Sequence, residues 1–171
     1  MLKKKLDALG VLARQKARLV IKGFKLQYRV NYFSTFASVA RFNTLRAMLS
    51  KGAVKDLEID HVDVETAFLN TPLKEEVYMY IPEYFYLLYP DKNFDRLSLQ
   101  LLRLLYRLKQ ALRSWFQEVN SFFLSIRFKP LEADLNLFVH RGVYILLYVD
   151  NMLVIGKRHT VDAAKLQIAS K

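Results

Sequence analysis

Across residues 97–128 apolar side chains recur every three or four positions, at Leu101, Leu104, Leu105, Leu108, Leu112, Trp115, Phe116, Val119, Phe122 and Phe123. Taken alone, that spacing predicts one long amphipathic helix. Residues 41–54 repeat the pattern with Phe42, Leu45, Met48 and Leu49, and Asn43 or Thr44 stands near the start as a cap, which predicts a helix packed under a sheet. Elsewhere the period falls to two or disappears. Residues 11–28 set Lys16, Arg18, Val20 and Lys22 against Ala17, Leu19 and Ile21, the pattern of a half-exposed strand with one cationic face. Residues 57–64 form a mixed strand with a helix-like 65–69 after it. Residues 77–81 are a strand closed by Pro82, and the aromatic-rich 84–90 reads as a loop. Residues 138–140 and 143–149 flank Arg141 and Gly142 as a hairpin with glycine in its turn.

One turn breaks this pattern chemically. Residues 144–149 and 152–155 are apolar strands, yet Asp150 and Asn151 lie between them. Burying a carboxylate costs several kcal/mol unless it is paired or holds a metal, so Asp150 needs a reason, and a metal-bound phosphate supplies one. A second carboxylate, Asp63, closes the mixed strand at 57–64, and two aspartates at strand ends can meet on one sheet however far apart in sequence. Each also has a plain structural reading, Asp63 as a strand-end cap and Asp150 as a turn residue with an Asx hydrogen bond.

At 171 residues and 53% hydrophobic content the chain is long enough for one domain with a real core, which excludes wholesale disorder. Its 27 Lys and Arg against 16 Asp and Glu leave a formal charge of +11, which favours a polyanionic partner and equally describes a generic basic protein. There is no cysteine, so disulfides and thiolate metal sites are excluded. The start, Met1-Leu2-Lys3-Lys4-Lys5, is basic, but charge interrupts the residues after it, a poor signal peptide. No run approaches the roughly 20 apolar residues of a membrane span. The expectation is an intracellular product, in cytoplasm or nucleus, neither secreted nor membrane-bound.

Six segments then occur in a recognisable order: Lys16-Ala17-Arg18-Leu19-Val20-Ile21-Lys22-Gly23-Phe24, Phe36-Ala37-Ser38-Val39-Ala40-Arg41-Phe42, Asp63-Val64-Glu65-Thr66-Ala67-Phe68-Leu69-Asn70, Glu75-Glu76-Val77-Tyr78-Met79, Leu108-Lys109-Gln110-Ala111 and Tyr148-Val149-Asp150. Together, across nearly the whole chain, they resemble the reverse transcriptase of Ty1/copia-type retrotransposons. Any one is weak; the ordered set is specific. The resemblance implies an α+β fold, the partial palm and fingers of a reverse transcriptase, with an antiparallel sheet and flanking helices. It implies a single domain over residues 1–171, about 1–40 fingers-like and 41–171 mainly palm-like, with thumb and RNase H absent, as in a fragment of a Pol polyprotein. The activity implied is RNA-directed DNA synthesis from deoxynucleoside triphosphates on an RNA or DNA primer–template, with Mg²⁺ or Mn²⁺ as cofactor.

The same resemblance assigns roles. Asp63 and Asp150 become metal ligands, Val64 lends a backbone carbonyl, and Asn151 takes the place of a third catalytic carboxylate. Phe68 becomes the bulky gate that excludes a 2′-OH; on its own it reads as core. Lys16, Arg18 and Lys22 become the fingers hairpin over the triphosphate, or else a solvated basic face. Lys109 and Gln110 touch phosphate or nucleotide, or lie on an exposed helix face. Trp115 stacks on a base or fills the core.

Three positions depart from the family pattern. The motif Tyr-Val-Asp-Asp ends here in Asn151, which removes a negative charge while keeping a carbonyl. Where the spacing alone reads as one long helix, the resemblance implies a short strand and a tight turn followed by a helix. Arg107, however, stands where the family has glycine and Leu112 where it has proline, changes expected to weaken the turn or let the following helix extend backwards. With the short chain, they imply an impaired or inactive polymerase copy. The alternative is a non-catalytic, basic nucleic-acid-binding remnant.

Overall fold

The computed structural model describes residues 2–17, 19–82 and 84–170. They form two compact units that interleave along the chain, residues 1–35 with 68–111 and residues 36–67 with 112–171. In order, the elements are β1 (Leu2–Leu6), β2 (Leu12–Ala17), α1 (Phe42–Val54), β3 (Glu58–Asp63), β4 (Tyr78–Tyr80) and β5 (Ser98–Gln100). After them come α2 (Ala111–Ser125), β6 (Lys129–Leu131), β7 (Asp134–His140), β8 (Val143–Tyr148), β9 (Asn151–Gly156) and α3 (Arg158–Ala169). The result is a mixed α/β chain with an antiparallel sheet. Among the described residues no helix is long and apolar enough to cross a membrane.

The unit of residues 36–67 and 112–171 is built on a five-stranded antiparallel sheet of order β3-β9-β8-β7-β6. Its middle strands are apolar on both faces, with Ile145, Leu146, Leu147, Met152, Val154 and Ile155 all buried, as strands covered on both sides require. On one face Met48 of α1 joins Leu137, Leu146 and Ile155 in a core that Leu45 and Leu153 extend. On the other, Phe123 of α2 packs against Phe138 with ring centroids 4.8 Å apart, and α3 buries Val161 and Ala164. Edge strand β3 alternates, with Glu58, Asp60 and Val62 half-buried between more exposed neighbours. Its two half-buried carboxylates are paired, Glu58 with Arg158 at 2.5 Å and Asp60 with Lys165 at 2.6 Å.

The other unit holds two small antiparallel sheets, β1-β2 and β4-β5. Here the single helix over 97–128 that the spacing alone predicts does not form, since only α2 is helical. β5, a turn at Arg107 and then α2 follow instead, the short strand, tight turn and helix that the family resemblance implies. Ahead of it the chain is extended: Leu101 N–H bonds the Val77 carbonyl at 2.9 Å, Leu104 N–H that of Thr71 at 3.0 Å, and Ile21 N–H that of Tyr106 at 3.3 Å. Leu104, Leu105 and Leu108 are buried there, so their spacing serves this unit's core rather than a helix face. Nor does α2 extend backwards, because Leu112 is its second residue. The strand expected over 11–28 is likewise shorter: β2 ends at Ala17, and a 3₁₀ turn occupies Gly23–Lys25.

Several turns adopt left-handed backbone without glycine. α2 ends with Arg127 at φ 71°, where Phe128 N–H reaches back to the Phe123 carbonyl at 2.9 Å in a Schellman-type cap that favours glycine. The β7–β8 hairpin turns through Arg141 at φ 46° and Gly142 at φ 79°, the type I′ geometry.

The cap of α1 also differs from expectation. Neither Asn43 nor Thr44 is the cap residue; Arg41 is, and its side chain makes no cap bond. Buried Asp134, at the start of β7, does that work from across the unit. Its Oδ2 accepts from Arg41 N–H at 3.0 Å and its Oδ1 from Asn136 N–H at 3.0 Å. Burial pushes its carboxyl up, but hydrogen bonds from the Thr44 hydroxyl and from the Arg41 and Asn136 backbone outweigh that and hold it below the usual value. A depressed folded pKa means the stabilisation is full above the unfolded value of about 3.9 and is lost as pH falls through the folded one. Asp134→Ala is therefore expected to lower the unfolding free energy by about 1–3 kcal/mol near neutrality. In urea titrations the gap from wild type should shrink below about pH 4.

Candidate functional site

The four residues Asp63, Val64, Asp150 and Asn151 come together at one end of the five-stranded sheet. Antiparallel pairing of β3 with β9 sets Asp63 directly opposite Asn151, and Val64 N–H continues the ladder to the Asp150 carbonyl at 2.9 Å. Tyr148 pairs with Asn151, so Val149 and Asp150 are the two residues of the turn. Val149 sits at φ 58°, a conformation hostile to a β-branched side chain. Its carbonyl is held by the indole N–H of Trp115 at 2.7 Å, and Trp115 itself is buried, which answers the choice between stacking and core in favour of core. A strained turn persists only where its surroundings over-determine it, as the indole and the two flanking strands do here.

Asn151 is not a free ligand. Its Nδ2 donates to Asp150 Oδ1 at 2.9 Å, and its Oδ1 lies 2.8 Å from His61 Nε2. Sequence reasoning passed over His61, although period-two alternation puts it on the face of Asp63. Only the register, with His61 opposite Leu153 and Asp63 opposite Asn151, makes His61 and Asn151 diagonal neighbours. A groove lined by Phe42, Leu45, His61, Tyr148, Asn151 and Leu153 opens beside them.

As a metal centre the donor set is sparse. No cluster of three or more His, Cys, Asp or Glu side chains suited to a metal ion occurs among the described residues. The two carboxylates, and a backbone carbonyl such as that of Val64, are nonetheless hard oxygen donors of the kind that Mg²⁺ or Mn²⁺ accepts, so the donor chemistry suits such an ion.

The remaining candidates belong to the other unit. Phe68, in the 3₁₀ turn Ala67–Asn70, is 8% exposed and meets Tyr106 edge-on, with centroids 5.0 Å apart at 85°. Lys22 and Lys109 are exposed. Lys16 lies in β2 opposite Lys3, and Arg18 lies outside the described residues. Gln110 is buried rather than on an exposed helix face: its Nε2 donates to the Asn31 carbonyl at 3.0 Å, while its buried Oε1 has no partner among the described residues. Arg107 holds φ 72°, and its carbonyl is so close to Gly23 that a Cβ there would sit 1.9 Å away. Arg107 thus adopts left-handed backbone in this turn although it is not glycine.

Comparison with known sequences shows the family. The profile of the family described as reverse transcriptase (RNA-dependent DNA polymerase) matches residues 1–171. The retrovirus-related Pol polyprotein from transposon TNT 1-94 of Nicotiana tabacum is 37% identical over 151 residues, 85% of this chain and 11% of that protein. That from transposon RE2 of Arabidopsis thaliana is 35% identical over 98% of this chain and 12% of its own length. The transposon Ty1-BL Gag-Pol polyprotein of Saccharomyces cerevisiae is 26% identical over 91% of this chain and 9% of its own. The chain therefore spans about a tenth of the length of these relatives. No solved structure matches.

Left-handed backbone costs a non-glycine residue about 1–2 kcal/mol, and glycine returns about 0.4–1 kcal/mol of that as extra freedom in the unfolded chain. Arg107→Gly should therefore raise stability by roughly 0.5–1 kcal/mol, read as a higher thermal midpoint. Gly23→Ala should lower it, because the obstacle is a backbone carbonyl that no rotamer change removes.

Proposed function

This chain belongs to the reverse transcriptase family of Ty1/copia-type retrotransposon Pol polyproteins, and on that premise we propose that it is an impaired RNA-directed DNA polymerase module acting on a primer–template. The observation that carries the reading is the β3–β9 register, which sets Asp63 across from Asn151 and ties Val64 to Asp150. The five-stranded unit is read as palm-like and the unit of residues 1–35 and 68–111 as fingers-like.

In this reading Asp63 and Asp150, with the Val64 carbonyl, hold Mg²⁺ or Mn²⁺. A divalent ion bound there would lower the pKa of a primer 3′ hydroxyl and offset charge on the α-phosphate under attack. Lys16, Arg18 and Lys22 attract the triphosphate, and Phe68 stands against the sugar, its apolar edge discriminating by bulk. Lys109 offers a charge to phosphate. Gln110, being buried, supports the wall of this region through Asn31 rather than reaching out.

Loss of activity is part of the proposal. Asn151 lacks a charge, and its amide is already committed to Asp150 and His61. The same observation favours a second reading, a basic binding module without chemistry, which the +11 charge suits.

Primer extension on an RNA template with Mn²⁺ or Mg²⁺ separates the two. Trace product that vanishes in Asp150→Ala is expected; no product from folded protein with either metal removes the catalytic reading. Affinity for primer–template should fall more than about tenfold between ~50 and ~200 mM salt. An affinity indifferent to salt removes the binding reading.

A further inference from the structure

The direction in which the Asn151 amide points follows from its partners. Asp150 Oδ1 lies 2.9 Å away, and an ionised carboxylate only accepts hydrogen bonds, so the amide must turn its NH₂ toward Asp150. Its carbonyl then faces His61 Nε2 at 2.8 Å, and a carbonyl also only accepts, so that ring nitrogen must carry the proton. Both ends of the amide are thereby occupied, and a chain of donors runs from His61 through Asn151 to Asp150.

Resting on the polymerase reading above, we propose that His61 is a positioning residue: it turns the Asn151 carbonyl away from the cation, so that Asn151 is no metal ligand but the outer hydrogen-bond partner that orients the Asp150 carboxylate. The site therefore takes one divalent cation, on Asp63 and Asp150. His61 itself touches no metal, and the place where the family has a second aspartate is filled by a donor.

The arrangement has a geometric logic. His61 and Asn151 lie on adjacent strands as diagonal neighbours on one face, within reach of longer side chains, and Asp63 occupies the next same-face position on β3. A carboxylate at 151 in the same pose would put an oxygen, not an N–H, against Asp150, a contact that requires a cation between them. The amide makes the contact favourable without one.

The test is Mn²⁺ binding to the whole chain, followed by electron paramagnetic resonance and isothermal titration, with no nucleic acid present. Wild type should bind one ion in a manner lost in Asp63→Asn, and Asn151→Asp should bind two. Removing an outer-shell partner commonly costs about 10–100-fold in metal affinity, so His61→Phe and Asn151→Ala should each weaken binding at least about tenfold. The double variant should be no weaker than either single one, because the two residues act as a unit. His61→Gln keeps an N–H donor and should restore wild-type affinity, which a merely structural role for the ring would not allow. Long-range ¹H–¹⁵N spectra should show His61 protonated on Nε2 in wild type and no longer so fixed in Asn151→Ala. Binding that is Asp63-dependent but indifferent to His61→Phe, or additive losses in the double variant, would overturn this inference alone. No Asp63-dependent binding in wild type or in Asn151→Asp would overturn the metal site and the inference together.

Discussion

The pairing of β3 with β9 is the constraint on which the site depends. β3 is an edge strand, and its partner is the second arm of the hairpin that carries Asp150. Because side chains alternate with a period of two, a slip of one residue in this ladder would turn Ile59, His61 and Asp63 to the face of α3 and bring Glu58, Asp60 and Val62 to the face of α1. The register is held from both sides. α1 packs over β3 and β9 on one face, with Met48 against Ile155, while the other face places ion pairs from α3 on Glu58 and Asp60. Asp134, by capping α1 from β7, fixes that helix to the same sheet.

How much of this was legible beforehand depended on the reach of each interaction. The β7–β8 and β8–β9 hairpins were readable because turn and strands are neighbours in sequence, and β3 because its mixed pattern ends in a carboxylate. Over residues 97–110 the spacing alone misled, because burial of Leu104, Leu105 and Leu108 in an extended segment has the same spacing as a helical stripe, and backbone bonds to Val77, Thr71 and Ile21 decide for the strand and turn that the resemblance implied. The cap of α1 was invisible for the same reason, since its acceptor lies 93 residues away. His61 looked like an ordinary strand residue until the register supplied Asn151 as its partner.

The site also illustrates how an amide beside a carboxylate can be satisfied locally. Where a second carboxylate would repel Asp150, the Asn151 amide donates to it, and His61 completes the bond pattern. The hairpin gains an arrangement that is satisfied without any cation, while strain at Val149 persists because Trp115 and the flanking strands still enforce the turn.

Five of the nine described non-glycine residues with positive φ are arginines: Arg29, Arg96, Arg107, Arg127 and Arg141. Arginine has no affinity for that conformation, but it has a close relation to glycine in the genetic code. The glycine codons GGA and GGG become arginine codons through a single guanine-to-adenine change, and the same change turns an aspartate codon into an asparagine codon. Wherever a gene takes that route, each event adds one unit of positive charge to the protein, and at a left-handed turn it adds backbone strain as well. Basicity and instability then accumulate together, and a chain drifting in this way grows more attractive to nucleic acid as it grows less able to hold its shape.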